Sequence, residues 1–276
     1  MDFCRALATA VLGNPETVTF IEVNSKTRFT SLTERKTDAV MYSSTWTLGR
    51  ESTYGISFPA IYLFDGQGLM VRHQSNIKSL TDLNGKSVCV TENTTTHTTI
   101  RNVIERNRLN TKIVFANGDA FFRGNCDAYT ADRINLATNR ASRADRTDRY
   151  DILPLTLSRE PIGPMIRNDD PQWDRIVRSV VHALILAEEA GITQMNVEEI
   201  RRVGNSPEVE NLLGANAQIG HMLGLDPEWA FRAIKAVGNY GEVFNRHFGP
   251  NTPIGMDRGP NRPWSEGGLL YAPLFR

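Results

Sequence analysis

The chain has 276 residues, enough to bury a sizeable core in one or two domains. Its 31 acidic side chains cancel its 31 basic ones, so no net field draws it to nucleic acid or to an anionic membrane, and 40% hydrophobic with 22% charged residues is ordinary globular composition. No apolar run approaches the ~18–20 residues of a membrane span, and Met1 is followed at once by Asp2 and an amphipathic pattern rather than by a secretory signal.

Apolar residues at Phe3, Ala6, Leu7, Ala10 and Val11 give residues 2–12 one helical face, which Gly13-Asn14-Pro15 ends. Residues 18–23 alternate as a strand, and 26–35 read as a short helix with Phe29 and Leu32 inward. Residues 38–44 form the next strand. Its apolar approach, Asp38-Ala39-Val40-Met41, gives way to five hydroxyls within six residues, Tyr42 to Thr47, and then to Arg50. A strand end carrying Ser43, Thr45 and a guanidinium suits a small carboxylate, because Arg presents a planar donor fork that stays charged. The plainer alternative is a surface arginine after a turn.

Residues 58–63 are a further strand, and Asp65-Gly66-Gln67-Gly68 reads as a bendable crossing between two lobes. Residues 69–71 are extended, 79–85 are a capped helical turn with a glycine stop, and 86–90 are a strand. Thr94-Thr95-Thr96 then opens a helix from about residue 95 to 106. Free amides and the positive dipole end make such a start an anion site, although capping alone also accounts for the threonines. Residues 112–116, 119–122, 126–130 and 132–141 continue the alternation as a second α/β unit. Asp132, between strand and helix, is placed either to pair with an ammonium group or simply to cap. Arg140, Arg143, Arg146 and Arg149 interleave with Asp145, Asp148 and Asp151, which reads as a solvated face, with a docking patch as the alternative.

Residues 152–155 and 162–166 are extended segments leading back. Trp173, Ile176, Val180, Ala183, Leu184 and Ala187 then mark one face of a helix over 173–190, stopped at Gly191, with three more helices at 197–203, 207–213 and 228–248. The five histidines show no HxxxH or HExxH spacing, and a GxSxG elbow, a P-loop and GxGxxG are all missing. Cys4, Cys89 and Cys126 have no metal-ligand spacing. Catalytic residues, metal and cofactor are therefore not expected. An enzyme here would have to draw its acid or base from His97 or Glu92, close to Thr94.

The three candidate sites fall in the order and spacing of a known family. Its matching runs are Asp2-Phe3-Cys4-Arg5-Ala6, Thr45-Trp46-Thr47-Leu48-Gly49-Arg50, Asp65-Gly66-Gln67-Gly68, Val88-Cys89-Val90, Thr94-Thr95-Thr96 and Cys126-Asp127-Ala128-Tyr129-Thr130-Ala131-Asp132, followed near the other end by Ala236-Val237-Gly238-Asn239-Tyr240-Gly241-Glu242 and Gly267-Gly268-Leu269-Leu270-Tyr271-Ala272-Pro273. On these the chain resembles the periplasmic substrate-binding proteins of polar amino-acid ABC importers, in particular the general L-amino-acid-binding branch. The resemblance implies a two-lobe type II periplasmic-binding-protein α/β fold, each lobe a sheet flanked by helices, with residues 1–66 and 160–276 in lobe one and 67–159 in lobe two. It implies an L-amino acid ligand, an ABC permease as partner, a periplasmic location, and neither enzymatic activity nor cofactor. It gives the ligand α-carboxylate to Ser43, Thr45 and Arg50, further donors to Thr94 and Thr95, and the α-ammonium to Asp132. A zwitterion needs one such site for each pole, and each charge-assisted hydrogen bond contributes about 1.5–3 kcal/mol net.

Departures from the family also carry expectations. Members of the family have a signal peptide, a first strand and a pocket-lining loop before the point that Met1 matches. The chain is therefore expected to lack the first strand of lobe one, to expose an open sheet edge through which it could oligomerise, and to bind ligand more weakly. Cys89 and Cys126, both on lobe-two strands, are able to bridge, which would leave Cys4 single and fit an oxidising compartment. Residues 117–125 are shorter than the family's helix there, and Arg133 replaces a smaller polar residue. Two other classes compete: a small dehydratase-like enzyme on the same scaffold, and a remnant with a structural or oligomeric role.

Overall fold

The computed structural model describes residues 1–143, 149–204 and 206–276. Of the arginine–aspartate run, Asp145, Arg146, Asp148 and the side chain of Arg143 lie outside the described residues. In chain order the regular elements are helices α1 (Asp2–Leu12), α2 (Arg28–Thr33) and α3 (Leu48–Tyr54), strands β1 (Ile56–Ser57), β2 (Leu63–Asp65), β3 (Gln67–Arg72) and β4 (Ser87–Val90), and helix α4 (Thr95–Arg106). Next come β5 (Lys112–Phe115), α5 (Gly118–Phe122), β6 (Ala128–Asp132), α6 (Arg133–Arg143), β7 (Tyr150–Ile152), β8 (Glu160–Ile162) and β9 (Ile166–Arg167). The chain continues with α7 (Pro171–Glu189), α8 (Val197–Val203), α9 (Pro207–Leu212), α10 (Ala217–Leu223), α11 (Trp229–Val237) and α12 (Tyr240–His247). Among the described residues no helix is long and apolar enough to cross a membrane.

The chain divides into two compact units. Unit one comprises Met1–Leu63, Ile162–Gly249 and Asp257–Arg276, and unit two comprises Phe64–Pro161 and Pro250–Met256. The chain leaves unit one inside β2 and returns to it inside β8.

Unit two is built on a five-stranded sheet of order β5-β4-β6-β3-β7, in which β4 runs parallel to β5 and β6 while β3 is antiparallel to β6 and β7. Side chains alternate across it, as the two-residue repeat of a strand requires. Leu69, Val71, Val88, Val90 and Ala128 share one core with Leu83 and Ile100, the latter from α4. Met70, Cys89, Tyr129 and Ala131 share the other with Phe121 of α5 and Leu136 of α6. Both faces are covered, so these strands read as nearly continuous apolar runs. Cys89 and Cys126 form a disulfide on the second side, with Cα atoms 5.8 Å apart, and Cys4 is a free thiol.

Unit one is mainly helical. α1 packs on α11, and α7 packs on α11, α12 and α1. Asp170 caps α7 and Pro171 opens it, so the fixed proline φ and the missing N–H fall where a helix tolerates them. Arg258 grips Glu188 of α7 with two bonds of 2.7 and 2.9 Å, its guanidinium lying over the rings of Tyr240 and Phe244. Extended pairing here is short: Ile56 and Ser57 with Arg167 and Ile166, plus single bridges from Val40 to Met165 and from Thr45 to Ile162. Phe29, Leu32, Val40, Ile56, Phe58 and Met165 form the core beneath these pairs.

Several expected elements differ. Residues 18–23 alternate as expected but form no ladder among the described residues, and Phe20 and Ile21 are exposed; alternation alone makes no strand without a hydrogen-bonded neighbour. The expected strand 38–44 is reduced to the bridge at Val40, and of 58–63 only Leu63 joins a strand. The helix expected over 228–248 is two helices, α11 and α12, because Gly238 takes φ 85° and ψ −175° and Asn239 starts a new helix with a capping box to Glu242. α10 was not expected at all: with only Gly220 and Leu223 buried, it carries too few apolar positions to show a period.

Candidate functional site

In unit one the hydroxyl-rich loop is held by two guanidiniums. Thr47 caps α3 by accepting from the Arg50 amide at 3.2 Å, which places the Arg50 side chain in the first turn, close to the loop that precedes it. Its Nη1 donates to the Thr45 carbonyl at 2.5 Å. Arg28, from α2, is only 3% exposed and reaches the same loop, donating from Nη1 to the Ser43 carbonyl at 3.1 Å and to Ser44 Oγ at 3.0 Å. Both guanidiniums lie over the ring of Phe29, Arg28 at 4.8 Å and Arg50 at 5.6 Å, and Tyr54 stacks on that ring at 4.2 Å. The structure therefore brings Ser43, Thr45 and Arg50 together and adds Arg28. Sequence reasoning missed Arg28 because an arginine in a short helix is most often solvated, and only its place beside the inward Phe29 hinted otherwise.

In unit two the candidates gather where β6 ends and α4 begins. Thr94 is the cap of α4: its Oγ1 accepts from the His97 amide at 3.1 Å and donates to the Thr91 carbonyl at 2.7 Å. Thr95 Oγ1 donates to Glu160 Oε2 at 3.2 Å, and Ser158 Oγ donates to Glu160 Oε1. Asp132, buried, is the last residue of β6 and stands opposite Gln67 in the antiparallel pair with β3. Directly opposed residues share a face of the sheet. Gln67, fully buried on that face, donates from Nε2 to the Thr96 carbonyl at 2.9 Å and to Thr130 Oγ1 at 2.8 Å, tying the start of α4 to β6. Glu160 thus holds Thr95, and Gln67 ties the start of α4 to the strand that Asp132 ends; the sequence reading singled out neither Gln67 nor Glu160. A glutamine between two glycines and a glutamate before a proline carry no local chemical signature.

Neighbouring groups shape the same corner. Asp65 accepts from the Ile134 amide at 3.0 Å and from the Gly66 amide at 2.8 Å, so a residue of β2 supplies a cap for α6. Burial pushes the Asp65 carboxyl above the ordinary carboxylate value; Glu160 nearby adds to the rise, and the two amides and Arg133 oppose it. The guanidinium of Arg133 is engaged by the carbonyls of Leu153 and Leu155 at 2.9 and 3.0 Å. A methyl group on Gly66 would lie 2.3 Å from Thr156 Cγ2 and 2.7 Å from the Ser158 carbonyl, so the chain passes Ser158 as closely as it does only with glycine there. His97 is half-buried with its ring edge-on to Phe115, and Glu92 is exposed. Among the described residues no cluster of histidine, cysteine and carboxylate groups could hold a metal ion.

Unit one thus holds two guanidiniums on a hydroxyl-bearing loop, and unit two carries Glu160 bonded to the start of α4 and Asp132 at the end of β6. The family described as bacterial extracellular solute-binding proteins, family 3, matches residues 1–195. The chain is similar to the glutamate/glutamine/aspartate/asparagine-binding protein BztA of Rhodobacter capsulatus, 41% identical over 278 residues, which cover 99% of this chain and 82% of that protein. It is also similar to the general L-amino acid-binding periplasmic protein AapJ of Rhizobium johnstonii, 41% identical over 283 residues that cover 100% of this chain and 82% of that protein. Among solved structures, an ABC transporter periplasmic binding protein from Brucella ovis with glutathione bound matches with a TM-score of 0.96 at 39% identity, covering 100% of this chain and 88% of that one.

Proposed function

Because the chain belongs to the bacterial extracellular solute-binding proteins of family 3, we propose that its solute is an L-amino acid, delivered to the permease of an ABC importer from the periplasm. Arg50, with Ser43 and Thr45, takes the α-carboxylate; Thr94 and Thr95, the cap and first residue of α4, add hydroxyl and amide donors; Asp132 takes the α-ammonium. The observation that carries this reading is the division of chemistry in the candidate residues. Two guanidiniums lie over Phe29 beside the hydroxyl-bearing loop in one unit, and the other unit carries Glu160 at the start of α4 and Asp132 at the end of β6. A zwitterion is the small solute that needs both. The name of BztA supports a ligand from among glutamate, glutamine, aspartate and asparagine, and that of AapJ a broader range of L-amino acids. The disulfide of unit two fits an oxidising compartment.

Calorimetry of the purified chain against these four amino acids tests the reading, with glutathione as a fifth probe because its γ-glutamyl head carries the same α-amino acid group. Saturable binding of at least one probe is expected. Arg50→Ala and Asp132→Asn should each weaken it by roughly 10- to 150-fold, the equivalent of one charge-assisted bond. Heat from none of the five, or full affinity in both variants, would overturn it.

A further inference from the structure

Within unit two, one face of the sheet turns from apolar to polar as it approaches Asp132. Leu69 and Val71 of β3 and Ala128 of β6 meet Ile100 of α4 in a common core. On that same face Gln67 precedes Leu69, and Thr130 and then Asp132 follow Ala128, with Gln67 directly opposite Asp132. Gln67 and Thr130 are both fully buried. Gln67 Nε2 donates to the Thr96 carbonyl in the first turn of α4 at 2.9 Å and to Thr130 Oγ1 at 2.8 Å. Thr130 gives its own hydrogen to the Gly68 carbonyl at 2.7 Å, so toward Gln67 it can only accept, and the orientation of the amide follows. The backbone of Gln67 is held as well: its N–H donates to Ser158 Oγ at 3.2 Å, and its carbonyl accepts from the Leu157 amide at 2.8 Å. Its Oε1 is buried without a hydrogen-bond partner among the described residues. A buried acceptor with its bond unmade costs stability, and an apolar side chain of the same length would avoid that cost. What the amide offers here is its two donors.

Those donors tie the start of α4 to β6 two residues before Asp132. An α-amino acid carries both its poles on one carbon, so donors for the carboxylate and an acceptor for the ammonium must be held at one short spacing. In a β-amino acid a further carbon separates the poles. We infer that Gln67 is a positioning residue that sets specificity: by joining the first turn of α4 to Thr130 it fixes the spacing between the donors at Thr94 and Thr95 and the carboxylate of Asp132, so that the protein prefers an α-amino acid to its β-homologue. Gln67 acts through α4 and β6 and needs no contact with the solute. The inference rests on the reading that the start of α4 adds donors for the α-carboxylate while Asp132 takes the α-ammonium.

Gln67→Met tests it. Methionine keeps the length of the side chain and removes the buried Oε1 together with both donors. The Thr96 carbonyl keeps its place as helical acceptor for the amide four residues on, and Thr130 keeps its bond to Gly68. Calorimetric titrations pair whichever of L-glutamate, L-glutamine, L-aspartate and L-asparagine binds the wild type tightest with its β-homologue, which has one more methylene between the carboxylate and the carbon bearing the ammonium. A β-homologue too weak for direct heat is titrated in competition with the α-amino acid. The variant is expected to lose roughly fivefold or more in affinity for the α-amino acid, the equivalent of one neutral hydrogen bond, while the β-homologue holds or gains, so that their ratio falls by the same factor. A ratio that stays at the wild-type value, even if both affinities drop together, assigns Gln67 a purely structural role and overturns the inference. Should Gln67→Met fail to fold, Thr130→Val removes the anchor on β6 with little change of shape and must lower the same ratio; if it leaves the ratio unchanged, the inference fails. A wild type that binds none of the four amino acids sinks the amino-acid reading itself, an outcome distinct from an unchanged ratio.

Discussion

Arg50 and Asp132 could be singled out from sequence because each ends a recognisable pattern, a run of hydroxyls and a strand that becomes a helix. Arg28, Gln67 and Glu160 could not, because what makes them matter is burial beside polar partners far away in the chain: Gln67 meets Thr96 and Thr130, and Glu160 meets Thr95. Asp2 is a similar case. It reads as an ordinary acidic residue in the first turn of α1, yet it is buried and held by Arg246 and His247 at the end of α12. Burial works to raise its pKa, but the hydrogen bonds and charges of His247 and Arg246 outweigh it and hold the carboxyl below its ordinary value. The folded state thus binds this proton less readily than the unfolded chain does. Its contribution is complete above the unfolded value and disappears as the pH falls through the folded one. Asp2→Asn is expected to destabilise the protein by about 1–2 kcal/mol at neutral pH. In denaturant titrations the gap between variant and wild type should close in strong acid; a gap of constant size from neutral to acid would show that the charge has no part in it.

At the level of elements, boundaries were legible where a cap or a stop is written locally. α4 starts after Thr94 and runs to Arg106, and α8 spans Val197–Val203, both as their patterns suggest. Failures came where the outcome depends on a neighbour. Residues 18–23 have the alternation of a strand without a ladder, and the apolar stripe of 228–248 conceals a break because both halves bury their faces: α11 buries Phe231, Ile234 and Val237, and α12 buries Tyr240, Val243 and Phe244. Gly238 makes that break. At φ 85° and ψ −175° it occupies a region open essentially to glycine alone, and a Cβ there would stand 2.7 Å from Glu242 Oε2, the carboxylate that completes the capping box. Gly238→Ala therefore combines backbone strain with displacement of a cap, and should cost about 1–3 kcal/mol. Chemical denaturation measures it directly, and a variant as stable as the wild type would mean that α11 and α12 can be joined differently without penalty.

For the molecule as a whole, the implied α/β type II fold was legible because it rests on long-range order: motifs spread from Asp2 to Pro273 in one sequence, which no single helix or strand determines. The B. ovis periplasmic binding protein shares that fold. What holds each unit together differs, and this has a measurable consequence. Unit one relies on helix packing around α7 and on the Arg258–Glu188 pair. Unit two adds a covalent link, Cys89 to Cys126, which ties β4 to the segment entering β6 across a sequence separation of 37 residues. Closing a loop of that length removes unfolded-state entropy worth about 4 kcal/mol in the chain-entropy account. Reduction, or Cys89→Ser with Cys126→Ser, should therefore weaken unit two selectively. Hydrogen exchange resolved by segment is the suitable measurement, since amides open at rates set by the stability of their own region. Faster exchange is expected in β3, β4 and β6 after reduction, with α7 and α11 unchanged. Equal acceleration in both units would show that they unfold as one cooperative body, and no acceleration would show that the sheet and its two cores suffice without the bond.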